Sequence, residues 1–204
     1  MKIPLNRVTT AGLIVALGII YGDIGTSPLY VFNAIIKNRV INEALIIGSL
    51  SCIIWTITLQ TTLKYVYLVL KADNRGEGGT FALYALVRRH KKWLVLPAMI
   101  GGASLLADGI ITPPISITSA IEGLKELPAF VGIDHYIVYI VLAILAGFFF
   151  LQQFGTASIG KFFGPVMFIW FSMLAVLGVY HLFDDLSILT AFSPVHAYEF
   201  LRSY

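Results

Sequence analysis

Charge is scarce in this sequence. Of 204 residues only 12% are Asp, Glu, Lys or Arg, against roughly 25% in an ordinary soluble domain, which excludes a hydrated globular fold. Cysteine is nearly absent as well. Cys52 stands alone in the middle of a hydrophobic stretch, so no internal disulfide forms, and a buried free thiol there reads as a small packed hydrophobe. Low-complexity tracts and soluble linkers are missing, and no cleavable signal peptide is expected, because the first apolar stretch is long and lacks a small-residue cleavage pattern. The glycines at 76, 78 and 79 do not make a phosphate loop, since no Lys followed by Ser or Thr closes them. The four histidines, His90, His135, His181 and His196, lie at span ends or in loops without the close i, i+3 or i, i+4 pairing of a metal site. No nucleophile, metal or cofactor constellation emerges, so an enzyme is not expected. No Thr-Val-Gly-Tyr-Gly filter is present either, which argues against a channel.

What remains is overwhelmingly apolar, 58% hydrophobic residues with a mean hydropathy of +0.85. A spanning helix needs about 20 mostly apolar residues. Five stretches qualify: Ala11 to Ile36, Ala44 to Leu70, Leu96 to Ile121, Ile137 to Phe154, and Phe162 to Phe183. The fold class expected is an all-α polytopic membrane protein. The net charge of +3 fits the excess of Lys and Arg in cytoplasmic loops rather than nucleic-acid binding. With the N-terminus inside, the inner segments hold Lys2, Arg7, Lys64, Lys71, Arg75, Arg88, Arg89, Lys91, Lys92 and Lys161, and the outer ones only Lys37, Arg39, Lys125 and Arg202. The acidic Asp184, Asp185 and Glu199 then fall outside.

The one sizeable polar stretch, Lys71 to Lys92, divides helices two and three. Its glycines forbid a continuous helix, Thr80 is a candidate cap, and "FALYALVRRHKK" reads as a short helix along the cytoplasmic interface. In the second stretch Ser49, Cys52, Thr56 and Gln60 recur at helical spacing, as contacts to neighbouring helices. Residues 1–204 are thus expected to form one transmembrane domain. Many transporters are built from two inverted repeats holding the substrate between them, and a five-helix unit with a broken first helix is one such repeat.

That break lies in "GIIYGDIGTSPLYVF". A helix runs from about Ala11 to Tyr21, "GDIGTSP" interrupts it, and Pro28 with Thr26 and Ser27 before it starts a second helix to about Ile36. Gly22 and Gly25 are expected to give the link its backbone freedom. Unwound backbone at membrane depth is tolerated only beside protein or a water-filled cavity. The first half-helix ends in carbonyls carrying partial negative charge, and Asp23 adds a carboxylate. An ionisable residue within a span marks a functional site by default, and both features favour a cation. The third stretch repeats the theme in "LLADGIITPPISITSA". Pro113 and Pro114 free the carbonyls of Gly109 and Ile110, and Asp108, Thr112, Ser116 and Ser119 share one helical face. Tyr30, about two turns after Asp23, is placed to add a phenol oxygen. Hard oxygen ligands of this kind suit an alkali cation or a proton.

"GIIYGDIGTSPLYVF" resembles the hallmark segment of the KUP/HAK/KT potassium-uptake permeases. So, in the same order, do "GEGGTFALYALVRR", "GASLLADGIITPPISITSAIEGL", "QQFGTASIGKFFGPVMFIWF" and "TAFSPVHAYEFL". The resemblance implies the first half of an inverted-repeat (LeuT/APC-type) transporter with a discontinuous first helix. It also implies potassium:proton symport across the plasma membrane, with potassium and protons as transported ions and no cofactor. The potassium site it implies comprises Asp23, Tyr30, Asp108, Thr112 and Ser116, with Asp23 or Asp108 coupling the proton. Family members continue through a second repeat, whose first helix supplies another acidic residue, so the facing half of the site is expected outside these residues. The lipid bilayer and a second copy of the full-length protein in a homodimer are the further partners expected. Two rivals remain. A related amino-acid permease would meet repulsion between Asp23 and a substrate carboxylate, and a non-transporting sensor or assembly subunit would have no use for two mid-membrane acids.

Overall fold

Helix starts are set by side chains that satisfy otherwise orphaned backbone donors. The Thr9 hydroxyl accepts from the Gly12 N–H at 3.1 Å and opens α1, Thr10–Ile24. Asn42 accepts from the Leu45 N–H at 2.8 Å and, with Glu43 in the first turn, opens α3, Glu43–Ile57; between them lies α2, Ser27–Ile36. A computed structural model describes residues 9–72, 74, 76, 78–130, 132–153 and 156–203, with the side chains of 11, 126 and 156–161 excepted. Phe154, the expected end of the fourth span, and the basic residues Lys2, Arg7 and Arg75 lie outside the described residues, as does the side chain of Lys161. The remaining α-helices are α4 (Gly79–Arg88), α5 (Val95–Gly123), α6 (Ile137–Gln152), α7 (Thr156–Leu182) and α8 (Pro194–Ser203). After α3 the backbone continues in π register over Thr58–Leu68, where the Lys64 ammonium donates to Gln60 Oε1 at 3.1 Å.

Five helical runs are long and apolar enough to cross a membrane: Gly12–Ile36, Glu43–Lys71, Lys92–Gly123, Ile133–Gln152 and Phe162–Leu182. These match the five expected stretches to within a few residues. Pro113 and Pro114 sit inside α5 without ending it. A proline costs a helix one hydrogen bond, and the long apolar flanks carry the helix through.

The chain divides into two units. In the first, residues 1–37 and 118–189, α1 and α7 pack side by side and run parallel. Gly18 lies directly against the backbone of Phe163 and Gly164, and a Cβ at Gly164 would meet the Ile14 carbonyl oxygen at 2.5 Å. Paired glycines of this kind let helix backbones approach where no hydrophobic force operates between them. Towards the other end of the loop between the third and fourth spans, Lys125 pairs with Asp134, and that hydrogen bond holds the Lys125 ammonium above its ordinary pKa. Past α7, Ser187 bonds back to the Asp185 carboxylate and holds it below the usual carboxylate range.

In the second unit, residues 38–117 and 190–204, α8 and the residues just before it dock along residues 48–55 of α3. The Ser51 hydroxyl donates to the Ser193 carbonyl at 2.7 Å, the Trp55 indole N–H to the Phe192 carbonyl at 3.0 Å, and Cys52 Sγ lies 3.5 Å from the Ala197 carbonyl. Gly48 makes room for Phe200, whose Cβ a side chain there would meet at 2.8 Å. The most buried side chains, Leu45, Ser49 and Ser51, all belong to α3. Of the four residues expected to touch neighbouring helices, Cys52 reaches α8, Ser49 is buried with its hydroxyl bonded to its own helix, and Thr56 and Gln60 are exposed.

Two local expectations are corrected. Thr80 does not cap α4: Gly78 occupies that position, and Thr80 lies in the first turn behind Gly79, whose φ of +84° requires glycine. The break in the first span is also narrower than "GDIGTSP". It is the two-residue turn Gly25–Thr26, and α1 continues past Asp23 to Ile24.

Candidate functional site

Asp23 occupies the last turn of α1, and the hydroxyls that follow the break fold back over that turn. Ser27 donates to the Asp23 backbone carbonyl at 2.8 Å and lies 3.3 Å from the carboxylate Oδ1. Tyr30, one turn further, donates its phenol proton to Ser27 Oγ at 3.0 Å. Asp23, Ser27 and Tyr30 therefore form one hydrogen-bonded string across the break, with Asp23 exposed and Tyr30 half-buried. Thr26 Oγ1 lies 3.2 Å from both the Gly22 and the Asp23 carbonyls.

Free carbonyls are expected at this helix end from the sequence, but they already accept hydrogen bonds. Gly22 and Asp23 carry hydroxyl partners, and the Gly25 carbonyl accepts the indole N–H of Trp170 on α7 at 3.2 Å. A carbonyl oxygen has two lone pairs, and the Asp23 carbonyl uses both, on the Ser27 hydroxyl at 2.8 Å and the Thr26 N–H at 3.1 Å. Gly25 also differs from its expected role: its φ of −78° is ordinary helix, and a Cβ there would strike the Phe171 ring at 2.5 Å. The glycine is needed for the approach of α7, not for backbone freedom. Gly22 has no atom near its missing Cβ and no positive φ.

On α5, Thr112 donates to Asp108 Oδ1 at 2.7 Å, so the acid and the hydroxyl four residues on are joined as their spacing requires. Ser116, another turn along the same face, is half-buried. Asp23 and Tyr30 belong to the first unit, and Asp108, Thr112 and Ser116 to the second. Sequence reasoning missed Ser27 as a member of the string and Trp170 as its brace. The signal for Ser27 was present, since it stands four residues after Asp23 and three before Tyr30. Nothing local marked Trp170, which lies 145 positions from its partner.

The chemistry on offer is that of hard oxygens, carboxylate, hydroxyl, phenol and carbonyl, placed at the negative end of a helix dipole. Among the described residues no group of three or more His, Cys, Asp or Glu is set to hold a metal ion, so soft transition-metal coordination has no ligand set there.

Residues 10–204 match the family described as the K+ potassium transporter integral membrane domain. The chain belongs to this family. Similar curated proteins bear potassium transport names. The "Probable potassium transport system protein Kup" of Cytophaga hutchinsonii is 57% identical over 98% of this chain and 30% of its own length. The "Probable potassium transport system protein Kup 1" of Lactococcus lactis subsp. lactis is 55% identical over 97% of this chain and 31% of its own. The "Probable potassium transport system protein Kup" of Clostridium perfringens is 53% identical over 99% of this chain and 32% of its own. The chain thus spans about 30% of the length of the potassium transporter relatives it matches. No solved structure matches it.

Proposed function

We propose that these residues are the first five-helix repeat of a proton-coupled potassium importer of inverted-repeat architecture, and form one wall of its cation site. The observation that carries this reading is the Asp23–Ser27–Tyr30 string at a break in the first span, in a chain of the potassium transporter family. Potassium sheds water against the Asp23 carboxylate and the α1 carbonyls, with Asp108, Thr112 and Ser116 supplying further oxygens. A proton carried by Asp23 or Asp108 couples the cycle. The facing wall comes from the segment that the relatives carry beyond the matched 30%, so transport belongs to the full-length protein, in the plasma membrane with its N-terminus cytoplasmic and as a homodimer.

The test is Asp23→Asn in the full-length protein. Asparagine keeps the shape and removes the charge, so rubidium uptake is expected to vanish while the amount of protein in the membrane stays at the wild-type level. Uptake at the wild-type rate would sink the assignment.

A further inference from the structure

The short helix α4 has no water-loving face. Gly79–Arg88 reads GTFALYALVR, without an acidic residue. One side packs inward at Ala82, 6% exposed, and Thr80 approaches Gly102 of α5. The opposite side presents Phe81, 74% exposed, and seven residues later, on the same helical face, Arg88. A helix bathed in water would carry Glu, Gln or Ser there. An aromatic followed by a cation is instead the pattern of a surface set at lipid headgroup level.

At the C-terminal end of α4 the chain turns sharply, and five basic residues follow in succession. The His90 and Lys91 N–H groups bond back to the Val87 carbonyl at 3.0 and 3.3 Å, and the His90 ring donates Nδ1–H to the Leu86 carbonyl at 3.2 Å. Arg88, Arg89, His90, Lys91 and Lys92 are exposed in succession. Trp93, 68% exposed, follows directly at the head of the third span. None of these five has an acidic partner among the described residues. Lys71, which ends the second span, is likewise held by an aromatic, with its ammonium 4.0 Å over the Tyr67 ring. A cation cluster with no acidic partner among the described residues, followed by an exposed aromatic and sitting between the second and third spans, is complementary to a phosphate surface.

We propose that α4 and the Arg88–Trp93 turn bind anionic phospholipid headgroups. Phe81 and Trp93 anchor at the hydrocarbon boundary, and Arg88, Arg89, Lys91 and Lys92 hold the phosphates. The inference does not depend on which ion is transported, and it is read without flux.

The test takes the full-length protein in bilayers of equal parts phosphatidylcholine and phosphatidylglycerol and measures, by native mass spectrometry, the lipids retained on release. Wild type is expected to retain phosphatidylglycerol in severalfold excess. The excess persists in Arg88→Lys/Arg89→Lys and disappears in Arg88→Gln/Arg89→Gln/Lys91→Gln/Lys92→Gln. Should the glutamine variant fail to insert, the fluorescence that wild type loses in Trp93→Phe gives a second reading, expected to be quenched more by brominated phosphatidylglycerol than by brominated phosphatidylcholine. Equal retention of the two lipids, equal quenching by them, or an undiminished phosphatidylglycerol excess in the glutamine variant overturns the proposal.

Discussion

Ser27 has a single hydroxyl proton and two acceptors to give it to, the Asp23 backbone carbonyl at 2.8 Å and Asp23 Oδ1 at 3.3 Å. Its own oxygen is meanwhile occupied by the Tyr30 phenol. Tyr30 therefore reaches Asp23 only through Ser27, and the two residues should not be equivalent. Ser27→Ala is expected to raise the KM for rubidium in the full-length protein about fivefold, which corresponds to one hydrogen bond of ~1 kcal/mol. Tyr30→Phe should do less, since Ser27 still holds Asp23. A rubidium concentration series of initial uptake rates decides it, and a larger effect at Tyr30 would mean that the phenol meets the ion directly.

Between elements, contact in the first unit rests on the absence of side chains. Gly164 abuts Ile14, and Gly18 abuts Phe163 and Gly164, so adding even one methyl forces α1 and α7 apart. Overpacking of this kind costs about 1–3 kcal/mol. Gly164→Ala is expected to lower the thermal unfolding midpoint of the detergent-solubilised protein. Gly178→Ala, on the same helix but with open space around it, should leave the midpoint unchanged or slightly raised. The five spans were legible in the sequence because their length and apolarity are local properties, and so was the bond from Asp108 to Thr112, which is set by helical spacing alone. The proximity of Asp23 and Tyr30 was legible for the same reason. Gly25 was misread because a glycine in a turn signals either backbone freedom or close approach, and only the Phe171 ring decides between them. The docking of α8 was invisible, because Ser193 and Phe192 offer carbonyls that every residue possesses.

For the whole chain, the count of crossings has a geometric check. If all five apolar runs span the membrane, the first and fifth must point the same way, and α1 and α7 run parallel. The start of the second span and the segment after the fifth must also share a side, and α8 with the residues just before it lies along residues 48–55, in the first half of the Glu43–Lys71 span. Cysteines placed singly at Asn38 and Ser203, in a background with Cys52 replaced by serine, should both react with an impermeant maleimide added to intact cells. A cysteine at Arg89 should react only after permeabilisation. Labelling of all three, or of Arg89 alone, would contradict the five-crossing topology.

The bond between Ser51 and Ser193 joins residues 142 positions apart. A ribosome adds roughly 5–20 residues per second, so the second span waits on the order of 10 s in the bilayer before the helix that covers it has been made. Ser49 bonds to the Leu45 carbonyl of its own helix, a partner available from the moment of insertion. α7 and α8 thus close over α1 and α3, which are made well before them, and a pause between the two members of either pair leaves the earlier helix without its partner.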